Sequence, residues 1–306
     1  MLTQTSRLRG ALLVLPALFA AQAFAQAAEE ANEMSAEEQA YFEEARRIWE
    51  SLDPQSGTIE LPGGFATLNV PEEYYYLGPG DAETVLVDVW GNPPGQNVLG
   101  MLMRKPYTPF DDDGWAVTIE YEEDGYVSDA DANEIDYDDL LKDMQRQTRA
   151  DSKARADAGY GTVELLGWAE PPFYSSYDKH LYWGKSLRFN GEQDVLNYDI
   201  RTLGRKGVLS MTFIAGTDQL AEINEAREEI LAMAAFNDGF RYEDYNASTD
   251  KLAAYGLGAL VAGGVAKKTG LLVVLLAFLK KGGVLIFVAL AAMAGKIKGF
   301  FSGNKA

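Results

Sequence analysis

The sequence predicts an α+β protein, an antiparallel sheet covered by helices, followed by a C-terminal transmembrane helix or helical hairpin. Three observations predict it. Segments of alternating apolar and polar residues recur between positions 57 and 216 without βαβ alternation. A few amphipathic helical patterns interrupt or flank them. Residues 252–295 then hold three apolar runs separated by lysine pairs.

The elements follow in chain order. Arg7 and Arg9 precede the apolar run GALLVLPALFAA, and alanines follow at 23 and 25. A basic segment, a short apolar segment and a small-x-small site are the signature of a secretory signal peptide over residues 1–25. Its apolar run is too short for the ~20 residues that span a bilayer. Export to a bacterial periplasm is therefore expected, and with no cysteine in the chain stability falls to a packed core.

Residues 26–56 hold SAEEQAYFEEARRIWESLDP, with Ser35 and Glu38 spaced as a capping box. Tyr41, Ala45, Ile48 and Trp49 share one helix face before Pro54 stops the helix. The exported acidic domain, 57–245, opens with GTIELPGGFATLNVP, two strands about the turn Pro62-Gly63-Gly64, and YYYL continues them. A helix over about 81–90 must end at WGNPPG. Strands VLGMLM and WAVTIEY follow; in the second, Trp115, Val117 and Ile119 point to the core while Thr118 and Glu120 point away.

DADANEIDYDDLLKDMQRQTRA is an acidic start to a helix ending near Gly159. Asp129, Asp131 and Asn133 imitate the opening of a calcium loop. Glu134, however, stands where that loop needs glycine, and Leu140 where it needs a bidentate glutamate. The acids belong instead to a helix N-terminus, where the dipole favours them, and no metal site is expected. GWAEPPFYSSY, residues 167–177, reads as a strand end, a proline turn and a strand start.

Asn190-Gly191 between alternating runs signals a hairpin with a two-residue turn. That turn pairs Leu181 with Ile200 and Trp183 with Tyr198 on one face, and His180 with Arg201 and Tyr182 with Asp199 on the other. GRKG brings back a third strand, with Met211 and Phe213 on the aromatic face and Ser210 and Thr212 on the polar one. TDQLAEINEAREEILAMAAF closes the domain as a helix with Leu220, Ile223, Ile230 and Leu231 inward.

Residues 251–301 read as a membrane anchor, its helix capped by Ser248, Thr249 or Asp250 and starting at Lys251. Lys267-Lys268 and Lys280-Lys281 divide it, so one span plus an interfacial helix and a two-helix hairpin both fit. Gly256, Gly263 and Gly264, with Gly258, Ala259 and Ala262, give small-xxx-small spacings that permit self-association or merely pack the hairpin. The address is the bacterial inner membrane, with the main domain in the periplasm.

All 46 acidic residues lie between 26 and 250, where only 17 basic residues accompany them, a net of −29. Such a surface repels nucleic acid. No P-loop, GxSxG, HExxH or dinucleotide fingerprint is present, and no cofactor is expected. His180 is the single histidine, so a multi-histidine metal centre is excluded. The strongest chemical constellation is the polar hairpin face of His180, Tyr182, Asp199, Arg201 and Thr212, able to bind a polar ligand or move protons, or else simply the solvated face of a half-buried sheet. Trp168 and Phe173 offer an aromatic grip for a glycan or a peptide, or else pack their own turn.

The order of elements resembles the PsbP-like or Mog1-like α/β/α sandwich. TIELPGGFATLNVPEEYYYL, WGNPPGQNVLGMLM, VTIEYEEDGYV, GWAEPP, LNYDIRTLGRKGVLSM and FNDGFRYEDYNASTDKLAAYGLGALVAGGVAKK together resemble the bacterial membrane-anchored proteins of the family DUF2167, from about 57 to 300. That resemblance implies location and architecture and carries no catalytic residue with it.

Three functions are then open. The first is a non-enzymatic periplasmic domain that binds a partner protein or an envelope component. The second is a membrane-tethered hydrolase or ligand-modifying enzyme using the polar hairpin face. The third is an oligomeric membrane element made by the Gly-rich helices.

Overall fold

The computed structural model describes residues 36–92, 94–157 and 160–263. The signal peptide and Ser35 therefore lie outside the described residues, as does the anchor from residue 264 on, with Gly264. The chain divides into two units, residues 1–51 and 52–306. In the first, helix α1 (Ala36–Ser51) forms as predicted, with Arg46 paired to Glu43 at 2.8 Å and Arg47 paired to Glu44.

The second unit is built on a seven-stranded antiparallel sheet in the order β3-β4-β5-β10-β9-β8-β7. Its strands are β3 (Tyr74–Leu77), β4 (Gly100–Arg104), β5 (Ala116–Glu122), β7 (Val163–Ser175), β8 (His180–Phe189), β9 (Gln193–Leu203) and β10 (Val208–Gly216). A three-stranded sheet of β1 (Gly57–Glu60), β2 (Ala66–Val70) and β11 (Ala234–Phe236) accompanies it. A parallel pair joins β6 (Tyr126–Ser128) to β12 (Leu252–Gly256).

One face of the large sheet carries Val117, Ile119, Tyr198, Ile200, Met211 and Phe213. It packs with Leu61, Phe65 and Leu68 and with helix α4 (Leu220–Met233) through Ile223, Ala226, Ile230 and Met233. Alternation along each strand dictates this, since residues two apart share a face. Leu220 and Leu231 are half-buried against the same core. The predicted helix over 217–236 is shorter than its pattern: it ends at Met233, and Ala234–Phe236 pair with Leu68–Ala66 of β2.

The opposite face is not solvated, which corrects the reading of Thr118 and Glu120 as outward residues; both are buried. Helix α2 (Pro79–Thr84), continued by a π-helical turn over Val85–Val89, packs against β4. Helix α3 (Tyr137–Asp157) packs against β7, with Leu141 and Met144 on Val163, Leu165, Leu187 and Phe189. The β6-β12 pair and helix α5 (Leu257–Val261) cover Leu181, Trp183, Leu203 and Val208.

That last element overturns the helix predicted to start at Lys251. Leu252–Gly256 is a strand beside β6, and Leu257, Leu260 and Val261 are buried in the domain. Asp131 explains the arrangement: its carboxylate accepts the backbone N–H groups of Leu257 (3.0 Å) and Gly258 (3.2 Å) and so caps α5. Gly256 has no room for a side chain, because a Cβ there would stand 2.5 Å from Asp131 Oδ2. Gly256 is thus explained by packing inside the domain, and Gly263 by its φ of 70°.

Asp129 has an equally structural task. It accepts Tyr174 Oη at 2.7 Å, Lys179 Nζ at 2.9 Å and Tyr242 Oη at 3.2 Å, tying β7, the β7-β8 turn and the 3₁₀ turn at Tyr242–Asp244 together. The two acids that imitate a calcium loop are therefore a knot and a cap. Among the described residues no group of three or more His, Asp or Glu side chains could hold a metal. No described helix is long and apolar enough to cross a membrane.

Two further differences concern the sheet. The aromatic stretch 167–177 does not turn at Pro171-Pro172; β7 runs through both prolines. It can do so because it is the edge strand and its pairing with β8 shifts register three times between Leu165 and Phe173. The β8-β9 hairpin turns at Asn190 (φ 50°) and Gly191 (φ 78°), with Phe189 O accepting the N–H of Glu192 at 2.9 Å. Glu192, however, stays outside the ladder, and Phe189 pairs with Gln193. The register is one residue away from the one a two-residue turn dictates, and one residue in a strand exchanges the two faces.

Candidate functional site

The corrected register divides the predicted polar face. His180 pairs with Thr202 and Tyr182 with Ile200, so both lie on the aromatic face under α4; Trp183 pairs with Asp199 and Leu181 with Arg201 on the other. Thr212 and Ser210 share the face of Asp199 and Arg201, as read from the sequence, and the ladder sets Asp199 opposite Thr212 and Arg201 opposite Ser210. β5 adds Thr118 opposite Thr212 and Glu120 opposite Ser210. Three of the five predicted residues, Asp199, Arg201 and Thr212, thus meet one another and acquire partners that strand pairing alone could not identify without the sheet order.

The result is a polar seam across β5, β10, β9 and β8, lying between the apolar clusters at Leu181-Leu203-Val208 and at Leu187-Val195. Its centre is Asp199, 2% exposed. One carboxylate oxygen accepts Arg201 Nη2 and Thr212 Oγ1, both at 3.1 Å, and the other lies 2.8 Å from Lys185 Nζ. Arg201 also reaches Thr212 Oγ1 at 3.4 Å, and its guanidinium and the Lys185 ammonium stand 5.4 and 5.9 Å from the Trp183 ring centre. Thr212, Lys185 and Glu122 at its margin are half-buried.

The electrostatics of the three acids diverge. Burial works against the charge of Asp199, but Lys185, Arg201 and the Thr212 hydroxyl outweigh it and hold the carboxyl below its ordinary range. Burial pushes Glu120 up to about 7, only partly offset by Arg201 and reinforced by Glu122 and Asp199. Burial raises Glu122 as well. The seam therefore holds one firmly ionised carboxylate and one carboxyl that titrates near neutrality.

Besides Asp199 Oδ2, which the Lys185 ammonium meets as an ion pair at 2.8 Å, four buried polar atoms on this sheet face have no hydrogen-bond partner among the described residues: Glu122 Oε2, Asn197 Oδ1, Ser210 Oγ and Trp183 Nε1. Each such atom costs about 1–3 kcal/mol when left unsatisfied. A buried ionic group is itself seldom better for stability than an apolar core of the same size. The central strands of the sheet thus carry chemistry that packing does not require. Alternation alone marks the seam's residues in the sequence, yet Glu120 and Thr118 could be joined to it only once β5 was known to neighbour β10, and Lys185 and Asn197 only with the observed β8-β9 register.

The remaining predicted residues form a separate shelf. Phe173, 54% exposed, packs its ring 5.2 Å from Tyr182, and the Arg227 guanidinium stands 4.6 Å above the Tyr182 ring. Arg227 Nη1 donates to Tyr198 Oη at 2.7 Å, and Tyr198 donates to Glu170 at 3.2 Å. His180 lies beside Asp178 at 3.5 Å, and burial lowers its basicity. Trp168 is on the other face, packed with Tyr137 and Tyr174, its Nε1 donating to Tyr137 O at 3.4 Å. Trp168 and Phe173 therefore form no common grip.

The family model described as "Protein of unknown function (DUF2167)" matches residues 53–291. No curated protein matches the chain. Among solved structures, the solution structure of cyanobacterial PsbP (CyanoP) from Synechocystis sp. PCC 6803 is similar at 13% identity and a TM-score of 0.32, over 61% of this chain and 93% of that one. A crystal structure from Bacteroides thetaiotaomicron VPI-5482 is similar at 11% identity and a TM-score of 0.27, over 60% of this chain and 49% of that one. Likenesses this slight carry no argument about site or activity.

Proposed function

The chain belongs to the DUF2167 family of proteins of unknown function, and we propose that it is an envelope protein that binds a small polar ligand in the seam around Asp199. The observation that carries this reading is the set of four unpartnered buried polar atoms beside a charged centre on one sheet face. The signal-like residues 1–25, the net charge of −29 over 26–250 and the lysine-marked run in 251–301 support export and attachment to an inner membrane.

The test is native mass spectrometry of the full-length protein released from its own membranes. The wild type is expected to carry a small molecule that the double variant Ser210→Ala, Asn197→Ala has lost. Removing unsatisfied groups is expected to leave that variant at least as stable as the wild type. A wild type that carries nothing, or a variant that carries the same molecule, overturns the reading. Protease accessibility in spheroplasts checks the address: digestion of the domain without permeabilisation is expected, and full protection refutes it.

One observation favours a second reading, a ligand-modifying enzyme. Glu120 and Asp199 are carboxyls whose surroundings drive their proton affinities apart, the arrangement an acid and a base require. Turnover of a bound ligand that Glu120→Gln abolishes while binding persists distinguishes it from simple binding.

A further inference from the structure

The layer over Trp183 is fastened differently from the sheet beneath it. β12 and α5 form one strap, residues 252–261, that lies on Leu181, Trp183, Leu203 and Val208. It is no part of the seven-stranded sheet. Its strand partner is the three-residue β6, and that parallel ladder sets Leu252 beside Tyr126 and Gly256 beside Ser128 with a register shift between them. β9, by contrast, is bonded to β8 on one side and to β10 on the other along nearly its whole length.

Side-chain carboxylates supply what the ladder lacks. Asp124, on the loop before β6, accepts Tyr255 Oη at 3.1 Å, and Asp131, on the loop after it, accepts the N–H groups of Leu257 and Gly258. At the base of the strap the Arg205 guanidinium holds Asp250 through two bonds, at 2.7 and 3.0 Å, and so fixes the point from which the strap leaves the β9-β10 turn. Burial of Leu257, Leu260 and Val261 makes the closed form the resting one. Closure nonetheless leaves Trp183 Nε1 buried without a hydrogen-bond partner, which reduces what it gains. Local openings begin where few backbone bonds have to break, and the strap has few.

We propose that residues 252–261 open as a strap about Asp250 while the seven-stranded sheet stays folded, exposing the sheet face at Trp183 and Val208. Such an opening is the route by which a ligand would reach that face, but it stands on the fold alone and is measured with no ligand present.

The chain has no cysteine, so one introduced thiol reports on one position. Val208→Cys places it under the strap and Met211→Cys places it on the opposite face with α4, both at fully buried sites. Each full-length variant is treated with a thiol reagent in low concentrations of urea. Val208→Cys is expected to react at least about tenfold faster than Met211→Cys, and its rate to depend only weakly on urea, because an opening strap exposes little surface. Met211→Cys is expected to react only through global unfolding, with a steep dependence. Tyr255→Phe keeps the ring and removes the bond to Asp124, and is expected to speed the reaction of Val208→Cys by about tenfold, the worth of one hydrogen bond to a charged group. Amide exchange of the wild type is a second measurement, with 252–261 exchanging before β9 and β10.

A rate for Val208→Cys that climbs with urea as steeply as that of Met211→Cys means that the strap opens only with the whole domain, and overturns the proposal. A rate that Tyr255→Phe leaves unchanged places the opening elsewhere and overturns it too. Neither result touches the ligand reading, which native mass spectrometry decides separately; a strap that opens on a protein carrying no small molecule removes that reading and leaves the strap.

Discussion

Substituting Glu120 by glutamine tests the electrostatic account of the seam without changing its shape. The carboxyl is held at about 7 in the folded protein against an ordinary 4.5, chiefly by burial. At about 1.4 kcal/mol per tenfold change, ionising it in the folded state costs about 3 kcal/mol more than in the unfolded chain. A raised acid stabilises the fold fully below its unfolded value and loses that contribution as pH rises through its folded value. The window is therefore about pH 4.5 to 7. The groups facing Glu120 are Arg201 and Asp199 from β9 and Glu122 on its own strand, with Tyr255 of β12 coupled in turn to Glu122 and Arg201.

Glutamine removes the titration and leaves Arg201 paired with Asp199. Urea denaturation of wild type and Glu120→Gln is the assay, at pH values spaced across that window. The variant is expected to match the wild type below about pH 4.5 and to exceed it by up to about 3 kcal/mol above pH 7. Parallel stability curves across the window refute the reasoning, because they mean Glu120 is not buried with its charge uncompensated.

Other perturbations probe the remaining structure. Asp131→Ala removes the acceptor for the N–H groups of Leu257 and Gly258, and should cost about 1 kcal/mol and speed amide exchange selectively over 257–261. Asp129→Ala strands the Tyr174 hydroxyl and removes the ion pair of Lys179, while Tyr242 Oη keeps Val127 O at 3.1 Å, so a loss of about 1–3 kcal/mol is expected in chemical denaturation. Asp129 is held low, since its three donors outweigh its burial, and this contribution should disappear as pH falls through the depressed value and vanish in the alanine variant. Gly100→Ala puts a Cβ 2.2 Å from the Tyr76 ring at a φ of 155°, and should lower the melting temperature by an amount equivalent to about 1–3 kcal/mol. Ile230→Ala opens a cavity between α4 and the sheet and should cost about 2–5 kcal/mol.

What the sequence alone determined was local. Two-residue alternation placed Val117, Ile119, Met211 and Phe213 on one inward face, and helical spacing placed Ile223 and Ile230 against them, because these periods are properties of the chain itself. Asn190-Gly191 located a turn. It did not settle how many residues the turn would leave unpaired, and Glu192 alone decided whether Tyr182 or Trp183 would share a face with Asp199.

Tertiary structure decided the rest for reasons that no short window contains. An acid reads as outward in a strand unless a covering layer is known, and Glu120 is buried on a face that α3 and the β6-β12 pair cover. An apolar Gly-rich run reads as the start of an anchor until an acid more than a hundred residues upstream is seen to cap it, as Asp131 caps Leu257 and Gly258. The seam itself depends on strand order: only the adjacency of β5 to β10, two strands separated in sequence by four other strands, brings Glu120 to Arg201 and Asp199. Periodicity fixes the direction of a side chain, but the burial of a charge and its partners are set by contacts that close long loops.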